Sequence, residues 1–95
     1  MMNFSGNNMI YSNHATKRMQ QRGIHLRLVE MLLTFGSECS KYGASTVYLS
    51  KVDLVRIKGV VGYDIFKRLS EKPIYAVIKG NFVITVGHLY KRIHR

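Results

Sequence analysis

The sequence lacks the features that commit a chain to several common classes. It has one cysteine, Cys39, so no internal disulfide can staple the fold and an oxidising compartment is not indicated. Cys39 reads as a small core or strand residue. No apolar run nears the roughly 20 residues that a membrane span needs. Residues 1–9 are polar, with no Lys or Arg, and lack the basic start and apolar centre of a secretory signal. The expected location is therefore the cytoplasm. No Cys/His spacing matches a structural zinc site, and the four histidines are not paired with acids at ligand spacing, so no metal or other cofactor is expected. There is no glycine-rich phosphate loop, no nucleophile elbow, no internal repeat and no linker.

Acids are scarce as well. Fifteen Lys and Arg oppose five acids (Glu30, Glu38, Asp53, Asp64 and Glu71), for a net charge of +10. Self-repulsion of that size costs a small domain stability, and it makes sense where a polyanion or an acidic protein binds and neutralises it. Hydrophobic residues make up 46% of the 95, which excludes a disordered tail and fits one domain over residues 1–95 with a thin core. Residues 1–10 read as a short lead-in.

Local signals divide the rest. Ser12 is a plausible N-cap for a helix to about Gln21, with Gly23 as its stop. On it, Ala15 and Met19 are spaced to face the core, while His14, Arg18 and Arg22 line up four apart as a polar stripe. Ile24 to Phe35 reads as a second helix with Leu28, Val29, Leu32 and Leu33 on its apolar face, ended by Gly36. Cys39–Tyr42 and Thr46–Leu49 are short strands around a turn at Gly43. Ser50 to Asp53 has the form of a capping box. The following Val52, Leu54, Val55 and Ile57 allow either a helix or a strand, and residues 51–72 have no assigned fold. Ile74–Lys79 and Phe82–His88 form a hairpin around Gly80-Asn81, which suits a two-residue type II′ turn. Both runs are apolar on both faces, so the hairpin is expected to be central in its sheet. The fold class is α+β.

The stretch from Ser12 to Ile24, with His14, Ala15, Arg18, Met19, Arg22 and Gly23, resembles the S-x-H-A-x-x-R-M-x-x-R-G-I signature of a small bacterial family of uncharacterised domains. Val83 to His88 followed by Tyr90, Lys91, Arg92 and Ile93 is similar to that family's closing strand and basic tail. After Ile24 the chain departs from the pattern, with His25, Leu26 and Arg27 where a Ser or Thr cap and acids are usual. The family is similar to the RelE/ParE-like toxin superfamily. That resemblance implies two N-terminal helices packed on a small antiparallel β-sheet. It also implies a toxin-type protein that cleaves messenger RNA, with or without the ribosome, or inhibits gyrase, and that an acidic antitoxin holds inactive.

Metal-free RNA cleavage needs a base for the 2′-OH, an acid for the leaving 5′-oxygen and cations for the phosphate. Histidine suits proton transfer and arginine's planar fork suits phosphate. His14, Arg18 and His88 are the catalytic candidates, with Arg22, Tyr90, Lys91 and Arg92 as RNA contacts. Each has a bland alternative. His14 can pack the helix, Arg18 and Arg22 can decorate a solvated face, and the tail can bind any polyanion. Thr85 reads as sheet packing. Tyr42, Tyr48 and Tyr63 are the tyrosines whose exposure would suit base stacking. A non-catalytic nucleic-acid-binding module and a protein-binding toxin remain the competing expectations.

Overall fold

A computed structural model describes residues 9–89. Along the chain these form β1 (Ile10–Tyr11), α1 (Asn13–Arg22), α2 (Leu26–Phe35), β2 (Ser37–Lys41), β3 (Ala44–Tyr48), α3 (Lys51–Ile57), α4 (Tyr63–Glu71), β4 (Ile74–Lys79) and β5 (Phe82–His88). The strands make one five-stranded sheet in the order β1-β5-β4-β3-β2. The β4–β5 hairpin lies inside the sheet, with both strands flanked, as its two-sided apolar pattern requires. Gly80 at φ 60° carries its turn.

The sheet is mixed rather than antiparallel. β1 pairs parallel to β5, Ile10 against Phe82 and Tyr11 against Val83, while all other pairings are antiparallel. Ile10, expected in the lead-in, is thus part of the sheet. Its amide donates to the Asn81 carbonyl at 2.8 Å and that of Ser12 to the Val83 carbonyl at 3.0 Å, covering what would be the open edge of β5.

Two helices fill the interval that had no assigned fold. The Ser50 hydroxyl accepts from the Asp53 amide and the Asp53 carboxylate accepts from the Ser50 amide, a complete capping box that starts α3. The same carboxylate accepts from the Ser37 hydroxyl at 2.7 Å, which explains how a carboxylate is tolerated when only 5% exposed. α4 carries Ile65, Phe66 and Leu69 at helical spacing. α2 starts later than its apolar pattern suggests. His25 is its N-cap and offers no side-chain hydrogen bond, and no acid stands in the first turn.

One core cluster joins Ala15, Val29, Leu32 and Leu33 from the first two helices to Val47, Ile74, Ala76, Ile78, Val83 and Val86 of the sheet. Ile57 and Leu69 bring α3 and α4 into it. Each such side chain, fully buried, contributes roughly 1.5–3 kcal/mol of transfer free energy. Alternate residues on the same strands (Thr46, Tyr75, Val77 and Thr85) therefore face the opposite side of the sheet, where they are half-buried. At the β2–β3 turn, Tyr42 and Gly43 both have positive φ, 54° and 80°, as a two-residue type I′ turn requires. No helix among the described residues is long and apolar enough to cross a membrane.

Candidate functional site

α1 is fastened to β5 at both ends. At its start, the Ser12 hydroxyl accepts from the Ala15 amide at 3.0 Å and donates to the Ile84 carbonyl at 2.7 Å. At its end, Gly23 in the left-handed conformation and Ile24 return their amides to Gln20 and Met19. The Arg22 carbonyl there meets His88 Nε2 at 3.3 Å. A ten-residue helix spans about 15 Å, and the four residue steps from Ile84 to His88 span about 13 Å. The lengths match, so α1 runs alongside β5.

This placement turns the stripe of His14, Arg18 and Arg22 into a row beside the strand. Arg18 Nε–H donates to His14 Nε2 at 3.5 Å. That long, exposed bond uses His14 Nε2 as its acceptor. Arg18 and Arg22 then line a cleft of about 180 Å³ with Tyr75, Thr85, Gly87 and His88. His14 is not part of its wall. It stands eight residues before Arg22, about 12 Å along the helix axis from the carbonyl that His88 holds.

His88 makes its hydrogen bond through Nε2 alone. A carbonyl oxygen can only accept, so Nε2 carries the hydrogen. Nδ1 is buried and has no hydrogen-bond partner. The imidazole is thereby wedged between the end of β5 and the end of α1. Next to it, Tyr75 lies across Gly87. A Cβ on Gly87 would come within 2.9 Å of Tyr75 Cε1 and 3.0 Å of its hydroxyl. Glycine at this position lets the Tyr75 ring settle onto the strand, where it lines the cleft.

A family comparison matches residues 11–88 to the domain of unknown function DUF4258. The chain belongs to the DUF4258 family. No curated protein and no solved structure matches it. The DUF4258 match runs from β1 to His88, so it contains the whole of this cleft. Tyr90, Lys91 and Arg92 follow the match and lie outside the described residues.

On the other side of His88 a second cavity of about 320 Å³ opens between α4 and the α1–α2 junction. Ile24, Leu28 and Ile74 line it together with Arg68, Glu71 and Lys72, and Arg22 and His88 belong to both spaces. Sequence reasoning missed Tyr75, Arg68, Glu71 and Lys72. The signal for the last three was present in part, because Ile65, Phe66 and Leu69 orient α4. Of the three tyrosines singled out for stacking, Tyr48 is buried at 5% exposure, whereas Tyr42 and Tyr63 are open. Tyr42 sits at the β2–β3 turn, at the opposite end of the sheet from His88. Among the described residues no group of three or more His, Cys, Asp or Glu side chains is arranged to hold a metal ion.

Proposed function

We propose that this DUF4258 chain is a toxin-type endoribonuclease of RelE-like fold. It cleaves messenger RNA without a metal, on or off the ribosome. The observation that carries the reading is the convergence of Arg18 and Arg22 with His88 and Tyr75 on one cleft in a chain of net charge +10.

In this reading Arg18 and Arg22 donate to the non-bridging oxygens of the scissile phosphate and stabilise the charge that builds on them. The phosphate draws the Arg18 guanidinium away from His14. His14 lies outside the cleft wall, so its Nε2 takes the proton of the 2′-OH through one bridging water as that oxygen attacks phosphorus. The bond from phosphorus to the 5′-oxygen breaks, and His88 Nε2–H supplies that oxygen's proton after exchanging the Arg22 carbonyl for it. The products are a 2′,3′-cyclic phosphate and a 5′-hydroxyl. Tyr75 adds a neutral donor, and Tyr90, Lys91 and Arg92 add contacts to flanking phosphates. An acidic antitoxin is the partner that neutralises the charge between rounds of activity.

A second reading is favoured by one specific observation: the His88 Nε2 hydrogen is already given to the Arg22 carbonyl, and Nδ1 is buried. If His88 only fastens α1 to β5, the cleft binds RNA and cuts nothing. One experiment separates the two. Purified protein is mixed with a long messenger RNA in EDTA, with and without ribosomes, beside His14→Ala and Arg18→Ala. Cleavage by the unaltered chain, lost in both variants, is the expected result. Binding without products supports the module. No binding of RNA by the unaltered chain overturns both and directs the search to a protein target.

A further inference from the structure

The cavity between α4 and the α1–α2 junction differs in chemistry from the phosphate cleft that it adjoins. Its floor is apolar, made by Ile24, Leu28 and Ile74, and its volume of about 320 Å³ is at the small end of the range for ligand pockets, roughly 300–1,000 Å³. Its rim carries Arg68 and Glu71 from the last turn of α4 and Lys72, the residue that caps the helix. A phosphate alone does not suit this space. The apolar floor gives it no hydrogen bonds, and the Glu71 carboxylate repels it. A flat, partly apolar ring with hydrogen-bond donors on its edge suits all three features, because the ring covers the floor and the donors meet Glu71. Its attached phosphates then lie against the cations.

Arg22 and His88 are the wall common to both spaces. A chain whose phosphate sits by Arg18 can therefore place an adjoining base on the other side of His88. We propose that this cavity is a nucleobase subsite for single-stranded RNA, in which Glu71 selects bases that carry an exocyclic amino group. The inference rests on the RNA reading above and goes beyond it by naming a specificity residue. Cytosine offers its N4 amino group to a carboxylate, as in groove recognition, whereas uracil presents a carbonyl at that position. A carboxylate facing that carbonyl leaves two acceptors opposed, so uracil is rejected rather than merely unrewarded.

The test uses fluorescein-labelled twelve-residue oligocytidine and oligouridine, both 2′-O-methylated so that no attacking hydroxyl is present. Anisotropy titrations are run at several salt concentrations. The unaltered chain is expected to bind oligocytidine about five- to tenfold more tightly than oligouridine. Glu71→Ala abolishes that preference without weakening oligouridine binding. Arg68→Ala with Lys72→Ala lowers affinity for both and reduces the slope of log K against log salt by about 1.4, the value for two phosphate contacts on a single strand. All three side chains are exposed, and unchanged circular dichroism confirms the fold. Equal binding of the two oligomers by the unaltered chain, or a preference that survives Glu71→Ala, overturns the inference while leaving the RNA reading intact. Failure to bind either oligomer overturns both.

Discussion

Replacing Gly87 by alanine tests whether Tyr75 is held on the strand by the absence of a side chain. Gly87 is buried on β5, and its φ is not positive, so alanine meets no backbone strain there. The obstacle is one ring edge. The new Cβ would stand 2.9 Å from Cε1, 3.1 Å from Cζ and 3.0 Å from the hydroxyl of Tyr75. Carbon atoms in contact prefer about 3.5–4.0 Å, so the ring must move by roughly 0.5–1 Å or swing off the strand. Overpacking of this kind costs about 1–3 kcal/mol. In a domain of this size that lowers the melting midpoint by about 4–8 °C for each kcal/mol.

Urea denaturation of the single variants and of the double variant isolates the cause. Tyr75→Ala removes the three atoms nearest the new methyl, so the double variant Gly87→Ala, Tyr75→Ala is expected to be no less stable than Tyr75→Ala alone. The coupling energy is then about 1–2 kcal/mol in the direction of rescue. Additive destabilisation would refute the reasoning, because it would place the cost of Gly87→Ala somewhere other than the ring. Gly36→Ala is the natural control. A Cβ there would meet the Leu32 carbonyl at 2.5 Å and the Tyr48 carbonyl at 2.8 Å, as well as Val47 Cγ1 at 2.8 Å. Two of those atoms are backbone, so no side-chain truncation relieves the clash.

Three further outcomes are expected. Tyr11→Phe is expected to leave stability unchanged or raise it by up to about 1 kcal/mol, since the Tyr11 hydroxyl is buried with no hydrogen-bond partner; urea unfolding at pH 7 measures this. Burial, with the Glu30 carboxylate adding to it, pushes that phenol up to about 12. The folded chain therefore keeps its proton where the unfolded chain loses it. The contribution is whole below pH 10 and is lost as pH rises from about 10 to 12, worth roughly 1–2 kcal/mol after allowance for partial exposure. Chemical denaturation between pH 9 and 12 should show this fall in the unaltered chain and a shallower one in Tyr11→Phe. Ser12→Ala removes both the α1 cap and the tie to Ile84. A loss of about 1–2 kcal/mol is expected, with faster hydrogen exchange at the Ala15 amide. Asp53→Ala breaks the capping box and strands the Ser37 hydroxyl; a loss of about 1–3 kcal/mol in urea is the expected reading.

What the sequence made readable follows from how each contact is built. α1 was readable at both ends because Ser12 and Gly23 act on their own helix, within four residues. The β4–β5 hairpin was readable because Gly80-Asn81 marks its turn locally. β1 was not, since two residues have no period and their partner lies about seventy positions away on β5. α3 was ambiguous because its valines suit a strand as well as a helix, and the capping box at Ser50 decided it. The α4 pattern was short and fell between glycines and a proline, so Arg68, Glu71 and Lys72 had no assigned face. The same division runs through the site. The stripe of His14, Arg18 and Arg22 is a property of one helix, and its spacing alone brings Arg18 onto His14. The clefts depend on what meets across elements, and no spacing within one element encodes that. His88 belongs to both kinds. Its position at a strand end was visible, but its chemistry depends on a carbonyl 66 positions earlier. As long as Arg22 accepts the Nε2 hydrogen, His88 fastens α1 to β5. A bound phosphodiester that competes for that hydrogen would convert the same side chain into a proton donor. On the ribonuclease reading, proton transfer by His88 requires that its hydrogen bond to the Arg22 carbonyl be given up, so substitutions that weaken this contact are expected to alter cleavage before they alter binding.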